Sequence, residues 1–192
     1  MRNAFPLLDQ WSLLTARGFT TRFSGLWVQN DDPEEVALQL RADPESRLDC
    51  DLDTAMRWYE PYSEHEIVWI GPHSPGWTHV LSISGSYLEE HVLSRGGRSV
   101  FRVEYDRDVD GLHDLDHFCD GAFVEAIGPM HDGETRPGSV LGEYQAGLEF
   151  PGDKRSLSAF LTLVGRITGR FIDQVWLTET RALYRIPDDA WM

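Results

Sequence analysis

Apolar and polar positions along this chain follow two rhythms, a strand-like alternation and a helical spacing, separated by clear turn signals. Residues 19–29 are rich in Thr, Phe, Leu, Trp and Val and read as a strand. Asp32-Pro33-Glu34-Glu35 then opens a helix, with an Asp cap, Pro at the first helical position and Glu three residues after the cap. Val36, Leu38 and Leu40 continue it until Asp43-Pro44, because the residue before a proline is pushed out of helical geometry. Residues 53–59 predict a short helix that Pro61 stops. Two strands follow at 66–70 and 77–83, joined by Gly71-Pro72-His73-Ser74-Pro75-Gly76, whose glycines and prolines predict a turn.

Ser86-Tyr87-Leu88-Glu89 has the capping-box pattern and opens a further helix that Gly96-Gly97 terminates. Residues 100–105, 112–119 and 122–127 have strand character, and Asp120-Gly121 between the last two is a hairpin signal, since both positions must accept positive φ. Residues 128–152 carry six of the 17 glycines together with Pro129, Pro137 and Pro151, which predicts a long surface loop with little structure of its own. Leu157, Phe160, Leu161, Val164 and Thr168 fall on one helical face, and Gly169 stands where a C-cap belongs. A short helix at 175–177 and a strand at 181–186 complete the pattern. The fold class expected is α+β in a single domain over residues 1–192. A mainly antiparallel sheet of about five to seven strands packs against about two to four helices, chiefly those at 33–42, 86–95 and 155–168. Trp69, Val80, Leu81, Ile83, Val103, Phe123, Leu161 and Val164 are expected in its core.

Composition narrows the class. With 41% hydrophobic and 11% aromatic residues, including seven Trp, the chain carries enough bulky apolar material to exclude intrinsic disorder. No apolar run approaches the roughly 20 residues that span a bilayer, and the first residues lack the pattern of a signal peptide, so a cytoplasmic location with no membrane partner is expected. Cys50 and Cys119 have no CxxC spacing, which leaves them as free thiols. The net charge of −15 excludes sequence-independent nucleic-acid binding, which needs clustered Lys and Arg. The charge is uneven: residues 31–66 hold twelve acidic residues against Arg41, Arg47 and Arg57. Such a surface favours cations or a basic protein partner.

Three sets of residues carry candidate chemistry. Asp31, Asp32, Glu34, Glu35, Asp51 and Asp53 are the candidate partner-binding residues. Asp106, Asp108 and Asp110 alternate before Gly111 as in a calcium loop, with Asp114 and the Leu112 carbonyl as further ligands, so Ca²⁺ is the one cofactor to consider. His117 stands where such a loop needs a bidentate Glu, which predicts weak affinity and carboxylates that serve as solvated, splayed turn formers. His65, His73 and His79, with Trp77 beside them, are the candidates for general acid and base work in a small hydrolase-like enzyme. Cys119 lies next but one to His117, without a third orienting group, and there is no phosphate loop or HExxH.

Gly76-Trp77-Thr78 opens a strand that ends near Ser84-Gly85 and is followed by a short helix. Residues 100–105 lead into the Asp120-Gly121 hairpin, and Leu163-Val164-Gly165-Arg166-Ile167-Thr168-Gly169 precedes Trp176-Leu177. In this order of motifs the chain resembles a family of uncharacterised actinobacterial proteins of unknown function, over most of its length. The family commonly carries a carboxylate or Asn-Gly where Ser82-Ile83-Ser84-Gly85 stands here, and tends to Asn at Asp108 and Asp110. The resemblance implies no activity and assigns no site residue. The function expected from the residues is a non-enzymatic acidic binding protein, of accessory or immunity type, that engages a basic protein partner.

Overall fold

The computed structural model describes residues 1–85, 89–109, 111–129, 138–188 and 190. Among them the chain runs through α1 (Gln10–Thr15), β1 (Arg22–Val28), α2 (Pro33–Gln39), β2 (Leu48–Cys50), α3 (Leu52–Ala55), β3 (Glu66–Ser74), β4 (Trp77–Ser84), α4 (Glu90–Leu93) and β5 (Ser99–Asp106). It continues through β6 (Gly111–Leu112), β7 (Leu115–Cys119), β8 (Ala122–Ile127), α5 (Val140–Tyr144), α6 (Lys154–Thr168), α7 (Gln174–Thr178) and β9 (Arg181–Ile186). Five of the helices start on an aspartate whose carboxylate accepts a backbone N–H of the first turn: Asp9, Asp32, Asp51, Asp153 and Asp173. Each such cap contributes about 1 kcal/mol, so part of the negative charge has a local structural use.

The strands form one antiparallel sheet in the order β2-β9-β3-β4-β1-β5-β7-β8, with β6 paired to β5. Alternation within each strand divides the core in two. Phe23, Trp27, Trp69, Leu81, Phe101 and Val103 face the layer built from α1, α3, α5, α6 and α7. Leu26, Val28, Val68, Ile70, Val80 and Val100 face α2 and α4 on the other side. The longest helix, α6, places Leu157, Phe160, Leu161 and Val164 on the sheet and stops at Gly169, whose φ of 86° is the left-handed C-cap its position predicts.

The architecture is α+β as expected, and the sheet is wider than the sequence pattern indicates. Strand β3 continues through Gly71 and Pro72 to Ser74, where a turn was predicted, because a register irregularity beside Pro72 accommodates the missing N–H. The single strand expected at 112–119 is broken at His113 and Asp114 into β6 and β7. The 128–152 stretch contains α5, capped by Ser139, while residues 130–137 lie outside the described residues. The capping box at 86–89 also falls largely outside them, and α4 is a single turn rather than the helix expected over 86–95. The two-residue turn at Asp120 and Gly121 has φ of 52° and 78°, the geometry read from the dipeptide. Phe123, expected in the core, is 49% exposed on the edge strand β8, where its ring meets Phe118 edge-on at 5.8 Å.

Gly165 on α6 illustrates how closely the layers approach. A Cβ there would lie 2.4 Å from Phe171 Cδ1 and 3.0 Å from the Arg170 carbonyl oxygen. Helix propensity favours alanine over glycine by about 1 kcal/mol, and overpacking against a neighbouring backbone costs about 1–3 kcal/mol or more. Gly165→Ala is therefore expected to lower the urea unfolding midpoint despite the better helix former. A higher midpoint would show that the 170–171 segment yields freely.

Candidate functional site

The first turn of α2, the edge strand β2 and its neighbour β9 enclose a groove on the α2 side of the sheet. Asp32 fixes the start of α2, its Oδ1 accepting from the Glu34 and Glu35 amides at 2.9 and 3.2 Å, so the two glutamates project from the helix end. Asp49 of β2 pairs with Ala182 of β9, on the face that also carries Tyr184. Two cavities of about 390 and 530 Å³ share Asp32, Glu34, Arg47 and Tyr184 in their walls and form one continuous groove. Its rim is acidic and open: the side chains of Glu34 and Asp49 are 74% and 57% exposed. Its floor includes Ile70 and Ala182, with Ala37, Leu38 and Pro44 along one wall. Arg47 stands in the middle, Nη1 donating to Glu34 Oε1 at 2.8 Å and Nε to Asp49 Oδ1 at 3.0 Å, with its guanidinium 6.0 Å from the Tyr184 ring. These carboxylates, Glu34 foremost, hold the Arg47 pKa above its usual value. Arg47, Asp49 and Tyr184 were not read from the sequence. The local signal is the alternation of Arg47, just before β2, with Asp49 on that strand of three residues.

The structure gathers only part of the acidic set. Glu34 lines both cavities and Glu35 the larger, where it also binds Arg98 at 2.6 Å. Asp51 instead caps α3 through the Thr54 amide at 2.9 Å, and Asp53 forms an ion pair with Arg17. Asp31 is exposed beside the α2 cap.

In the hairpin after β5 the carboxylates take different partners. Asp106 is buried, not solvated: its Oδ1 accepts from Tyr62 Oη at 2.7 Å and from the Asp108 and Val109 amides at 3.0 and 3.2 Å, and its Oδ2 lies 3.8 Å from Arg22 Nε. The bond to Asp106 raises the Tyr62 pKa to about 12. Asp108 is held by the Arg107 guanidinium at 2.7 and 3.1 Å. Asp114 is buried against Gly128, where a Cβ would lie 2.3 Å from its Oδ1. Asp110 lies outside the described residues. Among the described residues no three His, Cys, Asp or Glu side chains are gathered as donors for one ion. Behind the hairpin, Arg102 bridges Glu90 at 2.9 Å and Asp116 at 2.5 Å, and burial raises the pKa of both acids.

The histidines divide. His65 is exposed and pairs with Asp188 at 3.1 Å, whereas His73, eight residues on at the far end of β3, is about 26 Å away at strand rise. His73 and His79 do meet, with ring centroids 6.2 Å apart, inside the core. Trp176 Nε1 donates to His73 Nδ1 at 3.1 Å; an indole only donates, so the His73 proton sits on Nε2, which donates to Thr168 Oγ1 or the Arg170 carbonyl at 3.0 and 3.1 Å. His79 lies between Trp27 and Trp176, at 4.6 and 4.9 Å, and neither ring nitrogen has a hydrogen-bond partner among the described residues. Beside them the Arg181 guanidinium packs against Trp69 and Trp176 at 4.8 and 4.3 Å and bonds Glu179 at 3.0 Å, its stem lying where only glycine fits at position 71. Burial, then Arg181, lowers the His73 pKa to about 3 and the His79 pKa well below its usual value. Trp77 packs on Phe101, apart from this pair. Both imidazoles are enclosed in the core, and neither lines a cavity described above.

No family model, curated protein or solved structure matches the chain. Among the described residues no helix is long and apolar enough to cross a membrane.

Proposed function

We propose that this protein is a non-enzymatic binding module that engages a basic segment of a partner protein through the groove between α2, β2 and β9. The observation that carries this reading is the concave, half-apolar groove whose open rim is made of Glu34, Glu35 and Asp49. A cleft with an apolar floor holds the stem of a long cationic side chain while rim carboxylates meet its charge. The remaining negative charge steers a cationic partner toward the surface. Compared with the acidic set read from the sequence, the proposed contact surface gains Asp49, keeps Asp32 only as the cap of α2, and leaves out Asp31, Asp51 and Asp53.

Fluorescence anisotropy with a short labelled peptide of alternating arginine and glycine tests it. Binding is expected to weaken steeply between low salt and about 0.3 M salt. The triple substitution Glu34→Gln, Glu35→Gln, Asp49→Asn is expected to reduce affinity roughly tenfold, at a few tenths to 1 kcal/mol per exposed charge contact. Asp51→Asn with Asp53→Asn removes two charges elsewhere and is expected to change it little. Equal losses in both sets would reduce the reading to net charge. Binding untouched by salt and by the triple substitution would remove it.

A further inference from the structure

Building on the reading of the groove as a site for a basic segment, we infer that Arg47 is its internal occupant, and that an arginine of the partner displaces it to bind in the same place. Arg47 sits at the point the two cavities share, where any chain laid along the groove must pass. Its guanidinium is surrounded on three sides by groups from three elements: Glu34 on α2, Asp49 on β2 and the Tyr184 ring on β9. Two carboxylates and an aromatic face suit a planar guanidinium, which forks its donors and stacks, better than an ammonium, which is a point charge.

The fit of Arg47 itself is incomplete. It meets each carboxylate through one oxygen, at 2.8 and 3.0 Å, and leaves Glu34 Oε2 and Asp49 Oδ2 for an incoming fork. Its side chain is 41% exposed, so it swings out without opening a hole in the core. Exposed ion pairs of this kind are individually modest, so an incoming group can displace Arg47, yet breaking two of them together weakens binding measurably. Arg47 therefore acts as a gate that raises the threshold for binding and favours partners presenting arginine over lysine.

The experiment compares Arg47→Ala and Arg47→Gln with the unchanged protein, using the arginine-glycine peptide and a lysine-glycine counterpart. Arg57→Ala, an exposed arginine outside the groove, controls for net charge. Circular dichroism verifies that each variant is folded. Both Arg47 variants are expected to bind the arginine peptide about five- to tenfold more tightly and the lysine peptide about twofold or less, since only a guanidinium spans Glu34 and Asp49 at once with the Tyr184 ring beside it. Adding Glu34→Gln to Arg47→Ala is expected to abolish the gain. Salt-sensitive groove binding with no gain on removing Arg47, or a gain equal for both peptides and matched by Arg57→Ala, overturns the occupant role and leaves the groove reading in place. No salt-dependent binding of either peptide by any variant overturns both.

Discussion

Arg166→Ala is expected to destabilise the protein by about 3 kcal/mol or more, because one buried guanidinium satisfies three backbone carbonyls that would lose their charged donor together. Arg166 is 1% exposed on α6. Its Nε donates to the Ala4 carbonyl at 2.7 Å, and its Nη1 to those of Tyr144 and Ala146 at 2.7 and 2.9 Å. The Phe5 ring lies 4.5 Å from the same group. A single side chain thus fastens the N-terminal segment and the end of α5 to the central helix. Arg166→Lys keeps the charge but places fewer donors, and is expected to recover less than half of the loss. Urea unfolding at neutral pH measures both, and limited proteolysis should cut the first ten residues sooner in the variants. An Arg166→Ala midpoint within experimental error of the parent would mean that these carbonyls are satisfied by water at little cost.

Acid is expected to unfold the protein through its histidines. His73 and His79 are neutral in the fold, with pKa values lowered by burial and by Arg181, to about 3 for His73. In the unfolded chain both titrate near 6.5, so below that pH the unfolded state binds more protons than the folded state. Their contribution is intact above about pH 6.5 and falls by about 1.4 kcal/mol per pH unit for each histidine down toward the folded value, about 2.7 kcal/mol per unit for the pair. His117, also lowered by burial, acts in the same direction. Glu90 and Asp116 oppose it, since carboxyls raised by burial take up protons more readily in the folded state. Their effect begins at their raised folded-state values and offsets part of the histidine slope in the lower part of the window. Urea unfolding at pH 7.5, 6.5 and 5.5 should show stability nearly flat over the first interval and steeply falling over the second. His79→Leu should reduce the fall between pH 6.5 and 5.5 by about 1 kcal/mol and move the acid midpoint down. Stability that stays constant to pH 5 would show that the pair is protonated or solvated in the fold.

Much of the fold was legible because its signals are short-range. The α6 helix announces itself through five residues on one face and Gly169 after them. The hairpin at Asp120-Gly121 follows from the positive φ that both residues accept, and α2 from its Asp-Pro-Glu-Glu start. The errors share a cause. Pro72 was read as a turn because proline normally breaks a ladder, but the register irregularity beside it keeps β3 in the sheet. Phe123 was placed in the core by its apolar character, although an edge position is set by strand order. The aspartates at 106 and 108 were expected to be solvated turn formers, whereas Asp106 is buried, and no local pattern shows what it meets. Their partners, Tyr62, Arg22 and Arg107, decide instead what Asp106 and Asp108 do.

The candidate groove lay further still from the sequence. Glu34 and Glu35 were visible as charges, but what makes them a rim is the pairing of β2 with β9, which sets Asp49 and Tyr184, 135 positions apart, opposite α2. Likewise His73 meets Trp176 only because β3 ends beneath α7, 103 positions later. The chain by itself determined where helices begin and end, where it turns, and that its surface is acidic, since caps, glycine torsions and charge depend on neighbours a few residues away. Tertiary structure alone decided which charges are neutralised, which histidines are enclosed and where a groove opens, because those follow from strand order and register between segments that no local pattern connects.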